Sequence, residues 1–472
     1  IKLPNTKCVG YFFYIYRNEF YMSKPKLVII GGDAAGMSAA SKVRRENPGY
    51  EIIVFEKSGF TSYSACGIPY FISGKVGTYE ELIVRSPEEF IQKYKIDVRL
   101  FHEVIEVDTK NNQVLVRNLE DRTQFWESYV QLLIATGGKS FCPEVENREA
   151  DGVFGVQSLK GGIRLDHFIQ KNKPKTAVIV GGGYIGLEMA EALIIKGLKV
   201  TLINLTGEIM NTLDPDMGKI VHNAMKNLGV KIYVNEALRH FEAKNNTVTA
   251  VVTDKKTIKA DLVILGMGTS PNTAFLKHSK INLTEKGAIK VNRQQRTNIK
   301  NVWAAGDCAM TYNLVSKKPF YIALGTVANK TGLVAGSNIL GKEARFPGVV
   351  ATAVCKICVY EVARTGLLEK ELGDLGIDYV QVIIKTKSRA HYYPNAKDIY
   401  VKLLAEKGTG KLLGGQIIGE EGAAKRIDVL ATALTNKLTL QHIIDLDLSY
   451  APPFSPVWDP VQTAARKLIS SI

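Results

Sequence analysis

Lys26-Leu-Val-Ile-Ile-Gly31-Gly32-Asp33-Ala34-Ala35-Gly36 is the stretch on which the reading of this chain turns. An apolar run ends in a glycine turn. A helical stretch with small residues at its start continues to Arg45, and a second apolar run, Ile52-Ile-Val-Phe-Glu56, follows. That order predicts a buried strand, a tight turn, a helix and a second strand, the opening βαβ unit of a dinucleotide-binding fold. The glycines let the backbone turn sharply and approach a pyrophosphate, which then rests on the positive end of the helix. The design returns about 150 residues later as Ala177-Val-Ile-Val-Gly181-Gly-Gly183-Tyr184-Ile185-Gly186, a helix through Lys196, then Lys199-Val-Thr-Leu-Ile-Asn204. One glycine-rich turn is common. Two, each with its strands and helix in place, predict two dinucleotides per chain.

The units differ where the second strand ends. Glu56, followed by Lys57, closes the first, and a carboxylate there accepts hydrogen bonds from ribose hydroxyls. Asn204 holds that place in the second. A carboxylate would favour a free 2′-hydroxyl and repel a 2′-phosphate; asparagine does neither strongly, and no arginine follows it. NADH and NADPH both stay open as the electron donor. Further strand-to-turn segments are Leu132-Leu-Ile-Ala135-Thr136-Gly137-Gly138, Ala260 to Gly268, and Asn298 to Gly306-Asp307. Asp307 is placed to bind a sugar-like hydroxylated chain or, alternatively, to cap the next helix. From about Phe346 the pattern becomes strand-rich with interspersed helices, an α+β domain suited to a subunit interface.

The 472 residues exceed one hydrophobic core and predict two or three domains. A composition of 46% hydrophobic and 23% charged residues is globular, and no apolar run is long enough to span a bilayer. The formal charge of +15 comes from lysines spread along the chain, which argues against nucleic acid and fits small polyanions better. Six scattered cysteines (Cys8, Cys66, Cys142, Cys308, Cys355 and Cys358) do not form a secreted disulfide framework, so a reducing, cytoplasmic location is expected. Residues 1–21 read as an upstream extension of unknown purpose, without signal-peptide features, before a plausible start at Met22. Cys355-Lys-Ile-Cys358 has redox-like or metal-like spacing. Without a second pair or histidine cluster it reads better as an apolar strand, and no metal is expected.

These landmarks together resemble the pyridine nucleotide-disulfide oxidoreductase family, from about Met22 to the C-terminus. The resemblance implies an α/β fold with two Rossmann-like domains, for FAD and NAD(P), plus a C-terminal α+β dimerisation domain. Its implied layout is 22–148 and 273–345 for FAD, 149–272 for NAD(P), and 346–472 for dimerisation. Gly31, Gly32, Asp33, Ala34, Ala35, Gly36, Glu56, Lys57, Ala135, Thr136, Gly137 and Asp307 then correspond to FAD contacts. Gly181, Gly183, Tyr184, Ile185, Gly186, Glu188, Asn204 and Gly268 correspond to nicotinamide-dinucleotide contacts. Tyr184 resembles the aromatic lid that covers the flavin, and Glu188 a residue that orients the carboxamide; either is otherwise ordinary helix packing.

Within the family, Ser62-Tyr-Ser-Ala-Cys66-Gly-Ile-Pro-Tyr70 is diagnostic. Glutathione-reductase relatives carry two cysteines here, whereas this chain has only Cys66. A lone cysteine implies an oxidised state held as a mixed disulfide, a sulfenic acid or a persulfide. Such a branch contains coenzyme A-disulfide reductases, coenzyme A persulfide reductases, NADH oxidases and NADH peroxidases. Ala34 stands where the oxidases and peroxidases have histidine. Ala390-His391-Tyr392-Tyr393-Pro394 and Leu448-Ser449-Tyr450-Ala-Pro-Pro resemble the coenzyme A-disulfide reductases, which bring a tyrosine from each segment of the partner subunit to the cysteine. The implied pair is Tyr450 and Tyr392, with Tyr393 an alternative. Ser38, Lys42 and Arg45 share a helix face suited to phosphates; Ser38, Arg45 and Ser62 match the family's substrate contacts, and Asn329 is a further candidate. Ala65 departs from the asparagine common before the cysteine, which leaves room for persulfide or polysulfide substrates.

Pro69 favours a helix start just after Cys66, so the helix dipole is expected to lower the Cys66 pKa toward the thiolate, the form that attacks disulfides. The expected activity is NAD(P)H-driven reduction of coenzyme A disulfide, or a related low-molecular-weight disulfide or persulfide, by a homodimer. Coenzyme A covalently bound to Cys66 is one expected state. The alternatives are an NADH oxidase reducing dioxygen and a flavin-linked redox sensor.

Overall fold

The computed structural model describes residues 25–472, so the expectations for residues 1–21, Met22 and Cys8 lie outside the described residues. The first glycine motif leaves the central strand, Lys26–Ile30, of a five-stranded sheet in the order Val302–Ala304, Gln131–Ile134, Lys26–Ile30, Glu51–Phe55, Asp97–Arg99. All its pairings are parallel, with Lys26 opposite Glu51 and Leu27 opposite Gln131. Alternation explains why the strand is apolar throughout: Leu27 and Ile29 enter one core, Val28 and Ile30 the other. A parallel sheet covered on both faces has no solvent side, and each large side chain so buried contributes roughly 1.5–3 kcal/mol.

The second motif builds the same object. Its sheet runs Lys231–Tyr233, Lys199–Ile203, Thr176–Val180, Leu262–Leu265, Val153–Phe154, again wholly parallel. In each unit a three-stranded antiparallel insert precedes the strand that completes the far side of the motif. In the first it is His102–Asp108, Gln113–Asn118 and Gln124–Ser128; in the second, Leu238–Lys244, Thr247–Thr253 and Thr257–Lys259. The chain crosses between the units through the antiparallel pair Gly138–Ser140 and Thr269–Pro271.

The C-terminal part is a five-stranded antiparallel sheet, Ala353–Ile357, Tyr360–Gly366, Leu412–Gly419, Asp398–Glu406, Tyr379–Lys387. The helices Ala423–Thr435 and Pro460–Ile469 contribute to its core. It grips the second glycine-motif unit through an ionic cluster centred on a buried lysine. Lys402, fully buried, pairs with Asp214 at 3.1 Å, Asp216 at 2.7 Å and Glu369 at 2.7 Å. Asp214 exchanges two hydrogen bonds with Gln416, and Arg364 Nη1 donates to the Thr212 carbonyl at 3.2 Å. A buried ammonium is tolerated when several carboxylates surround it, and removing one side of such a group is strongly destabilising.

Candidate active site

Both glycine turns are shaped by close backbone approaches. A Cβ on Gly31 would stand 2.3 Å from the Ala135 carbonyl oxygen, and one on Gly181 2.6 Å from that of Gly266. Their φ angles, +108° and +102°, lie where side chains are strained. Each turn leads into a long helix, Ala34–Glu46 and Tyr184–Ile195, whose first turn receives no side-chain cap. Uncapped N–H groups at the positive end of a helix are the donor set that a pyrophosphate uses.

The two strand-end residues sit alike. Gly32 N–H donates to Glu56 Oε2 at 2.8 Å, and Gly182 N–H donates to Asn204 Oδ1 at 3.0 Å. The Asn204 amide NH2 is turned inward, to Thr206 Oγ1 and the Glu208 carbonyl, both at 2.8 Å. Asp307 follows Gly306, and its Oδ1 is buried without a partner; burial lifts this carboxyl to about 6. Such an orphaned acceptor fits a hydroxylated chain laid across it. Asp33 occupies the cap position of its helix yet accepts from Tyr63 N–H at 3.2 Å, tying the glycine turn to the Cys66 loop; burial lifts it to about 7, with Glu56 adding repulsion. Thr136 Oγ1 donates to the Asn272 carbonyl, and Gly137 and Gly268 both have positive φ. Lys57 is exposed. FAD at Gly31–Gly36, Glu56 and Asp307 therefore fits the residues present.

Cys66 stands in a single 3-10 turn, Ala65–Gly67, ahead of the short helix Ile68–Ser73. That helix packs on Tyr184–Ile195, which brings the thiol and Glu188 into electrostatic reach. The expected lowering of the Cys66 pKa is overturned. Although its side chain is open to solvent on one side, the packed protein lifts the thiol above its ordinary value, and Glu188 and then Asp307 add to the rise. The six-residue helix offers too little dipole to offset desolvation and two carboxylates drawn from distant segments. Glu188 itself is lifted to about 7, by burial and then by Glu191.

The substrate candidates separate. Ser38 Oγ donates to Asn329 Oδ1 at 2.8 Å, so these two meet. Ser62 adopts φ +48° and donates its N–H to the Gly32 carbonyl. Lys42 instead pairs with Glu46 at 2.8 Å, which also meets Lys342, so its charge is locally satisfied; Arg45 is exposed. Tyr392 and Tyr450 face each other, hydroxyl to hydroxyl, at 3.3 Å and are 65% and 46% exposed; Phe454 and Trp458 are exposed as well. The Tyr393 ring lies under Arg389 and is partly buried.

Cys355 lies on a strand and Cys358 in the turn after it, and both are free thiols. Extended chain separates their Cα atoms by roughly 10 Å, beyond disulfide reach. Among the described residues no group of three His, Cys, Asp or Glu side chains is arranged to hold a metal ion. No helix among them is long and apolar enough to cross a membrane.

Sequence comparison matches residues 25–332 to the pyridine nucleotide-disulphide oxidoreductase model, and residues 352–460 to that family's dimerisation domain. The chain belongs to this family. Pyridine nucleotide-disulphide oxidoreductases of this kind are NAD(P)H-dependent flavoproteins, so the family implies FAD and a nicotinamide dinucleotide. An NAD(P)H sulfur oxidoreductase (CoA-dependent) of Pyrococcus furiosus is 40% identical, over 95% of this chain and all of the relative. A coenzyme A disulfide reductase of Staphylococcus epidermidis is 32% identical, over 94% and 99%. A relative from Methanocaldococcus jannaschii, 35% identical over 95% and 99%, is named NADH oxidase. The structure of an NAD-dependent persulfide reductase from A. fulgidus superposes with a TM-score of 0.91 at 35% identity, over 94% of this chain and 83% of that one.

Proposed function

We propose that this oxidoreductase uses NAD(P)H to reduce coenzyme A disulfide, or the corresponding persulfide, through Cys66 as its one redox thiol. The observation that carries this reading is a lone, solvent-reachable cysteine within electrostatic reach of Glu188 and Asp307, with no second cysteine in its loop. FAD, when bound, would carry two electrons from the nicotinamide side to the Cys66 side. Glu56 and Asp307 would hold its two ends, Asp33 would tie its glycine turn to the cysteine loop, and Tyr184 would cover the nicotinamide side until the donor arrives. Glu188 would orient the carboxamide.

Cys66, once deprotonated, attacks one sulfur of the substrate disulfide. One coenzyme A thiolate leaves and takes a proton, and a Cys66–coenzyme A mixed disulfide remains. Two electrons from NAD(P)H then cleave that bond, release the second coenzyme A thiol and return the Cys66 thiolate. The sum is NAD(P)H, one proton and one disulfide giving NAD(P)+ and two thiols. Because burial raises the free Cys66 thiol above its ordinary value, its attack on the disulfide is expected to quicken as pH rises. In this reading a second copy of the chain supplies Tyr450 and Tyr392 as donors to the departing thiolate, and Ser38, Asn329, Ser62 and Arg45 contact the substrate.

Cys66→Ser in the holoenzyme is expected to keep flavin reduction by NAD(P)H and to lose disulfide turnover by at least about 1,000-fold. Full turnover in that variant overturns the assignment. Intact mass before and after dithiothreitol is expected to differ by one coenzyme A per chain. The oxidase reading, favoured by the Methanocaldococcus relative, requires dioxygen, so turnover with coenzyme A disulfide under anaerobic conditions decides against it.

A further inference from the structure

The segment from Thr284 to Gln295, the residues Met310 to Pro319 and the loop at Phe346 line a cavity of ≈ 520 Å³. That volume falls within the roughly 300–1,000 Å³ of small-molecule sites. None of the lining residues belongs to the glycine turns, to the Cys66 loop, or to Glu56, Asn204 and Asp307. The walls are pinned by the backbone. Met310 N–H donates to the Ile289 carbonyl at 2.9 Å, Phe346 N–H to that of Arg293 at 2.7 Å, and Ala304 N–H to that of Gln295 at 3.1 Å.

Two side chains in this lining hold buried polar atoms with nothing to bond. Gln295 is 2% exposed and its Oε1 has no partner; Thr311 Oγ1 is likewise cut off from solvent and unpartnered. A buried amide oxygen in that state calls for a donor. Water can supply one, but water does not account for the other walls. Val291, Met310, Tyr312, Pro319 and Phe346 present apolar and aromatic surface suited to a flat ring. Lys290 and Arg293 also line the cavity and are exposed, the Arg293 guanidinium 4.0 Å from the centre of the Tyr312 ring. The surrounding charge is one-sided. From Lys277 to Lys300 seven lysines and arginines stand against a single acid, Glu285, and Lys318 and Arg345 directly precede Pro319 and Phe346.

We propose that this cavity is a further nucleotide site, which takes a nucleoside monophosphate with its base toward Gln295 and its phosphate at Lys290 and Arg293. An exocyclic amine on the base donates to Gln295 Oε1 while the ring rests on the apolar walls. Ribose hydroxyls are matching partners for Thr311 Oγ1. Two cations suit the two negative charges of a terminal phosphate, and bonds to such charged oxygens are the strong ones. A dinucleotide joined through a pyrophosphate has no such terminal group, which sets this site apart from the two glycine turns. The proposal is independent of which disulfide the enzyme reduces.

The test is equilibrium dialysis of radiolabelled adenosine monophosphate against the FAD-loaded holoenzyme, with NAD+ saturating so that the nicotinamide-dinucleotide turn is filled. One nucleotide per chain is expected to bind with a Kd below about 1 mM. The double variant Lys290→Gln, Arg293→Gln lies at the surface and is expected to weaken that binding at least about tenfold, while flavin reduction by NADH moves less than about twofold. Adenosine, which lacks the phosphate, is expected to bind at least about tenfold more weakly than the monophosphate and to be indifferent to the double variant. Gln295→Met removes the amide at similar volume and is expected to weaken both ligands roughly fivefold. If Gln295→Met does not fold, the surface pair alone decides. The proposal is overturned if no nucleotide binds below about 1 mM, which leaves the cavity to water, or if NAD+ displaces all of it. It is equally overturned if the double variant binds as wild type does, or if adenosine binds as tightly as its monophosphate.

Discussion

Matched residue for residue, the two dinucleotide units share a backbone and part company in their side chains. Gly31 and Gly181 turn at nearly the same φ, Gly36 and Gly186 press on the carbonyls of Gly31 and Gly181, and Glu56 and Asn204 accept from equivalent N–H groups. Yet Ala34 stands where the second unit has Tyr184, and Ser38 where it has Glu188. The first helix lies hard against Gly325–Ile339, where a Cβ on Gly332 would come within 2.3 Å of the Ala35 oxygen. The second carries a bulky aromatic at its mouth. On the proposed reading, the first loop holds a group that stays and the second a group that comes and goes.

The sharpest way to break this comparison is to damage each turn in the same manner. Gly31→Ala is expected to yield protein without flavin, read from its absorbance. Gly181→Ala is expected to stay yellow and to accept electrons from dithionite, with reduction by NAD(P)H slowed at least about 100-fold because the pyrophosphate seat is displaced. If both variants lose flavin, the two turns do not serve separate dinucleotides. A smaller effect sits at the strand ends. Asn204→Asp should move the NADH to NADPH preference in kcat/KM by roughly tenfold toward NADH, since a carboxylate repels a 2′-phosphate.

The finest test concerns Glu188, the counterpart of Ser38. Its carboxyl titrates near 7 in the fold because burial disfavours the charge. A raised folded value contributes stability below the unfolded pKa and loses it as pH rises through about 7. Glu188→Gln should therefore raise the urea midpoint relative to wild type at about pH 8.5 and leave the difference small near about pH 4. The same change removes the largest charge acting on Cys66, so iodoacetamide should alkylate the thiol roughly two- to threefold faster at fixed pH. An unaltered alkylation profile would detach Glu188 from the cysteine.

The glycine turns were legible because their constraint is local: a carbonyl 2.3 Å from a missing Cβ admits only glycine, wherever the rest of the chain goes. Glu56 and Asn204 were legible for the same reason, as ends of apolar strands. The paired three-stranded inserts escaped notice because strands such as Gln124–Ser128 are half exposed and carry a weak alternating pattern. The state of Cys66 was misread from Pro69 and a nearby helix start. Its neighbours Glu188 and Asp307 lie more than a hundred residues away in sequence, and local pattern says nothing of them. Lys402 gave no signal either, being one cation amid the apolar middle of the strand Asp398–Glu406.

That buried ammonium has a consequence for how the molecule comes apart on heating. Because Lys402 pairs in the C-terminal sheet with Asp214 and Asp216 of the second glycine-motif unit, melting either element alone would strand the buried ammonium in an apolar interior. The two should therefore share one calorimetric heat-capacity peak, and a split endotherm is expected only once that bolt is withdrawn.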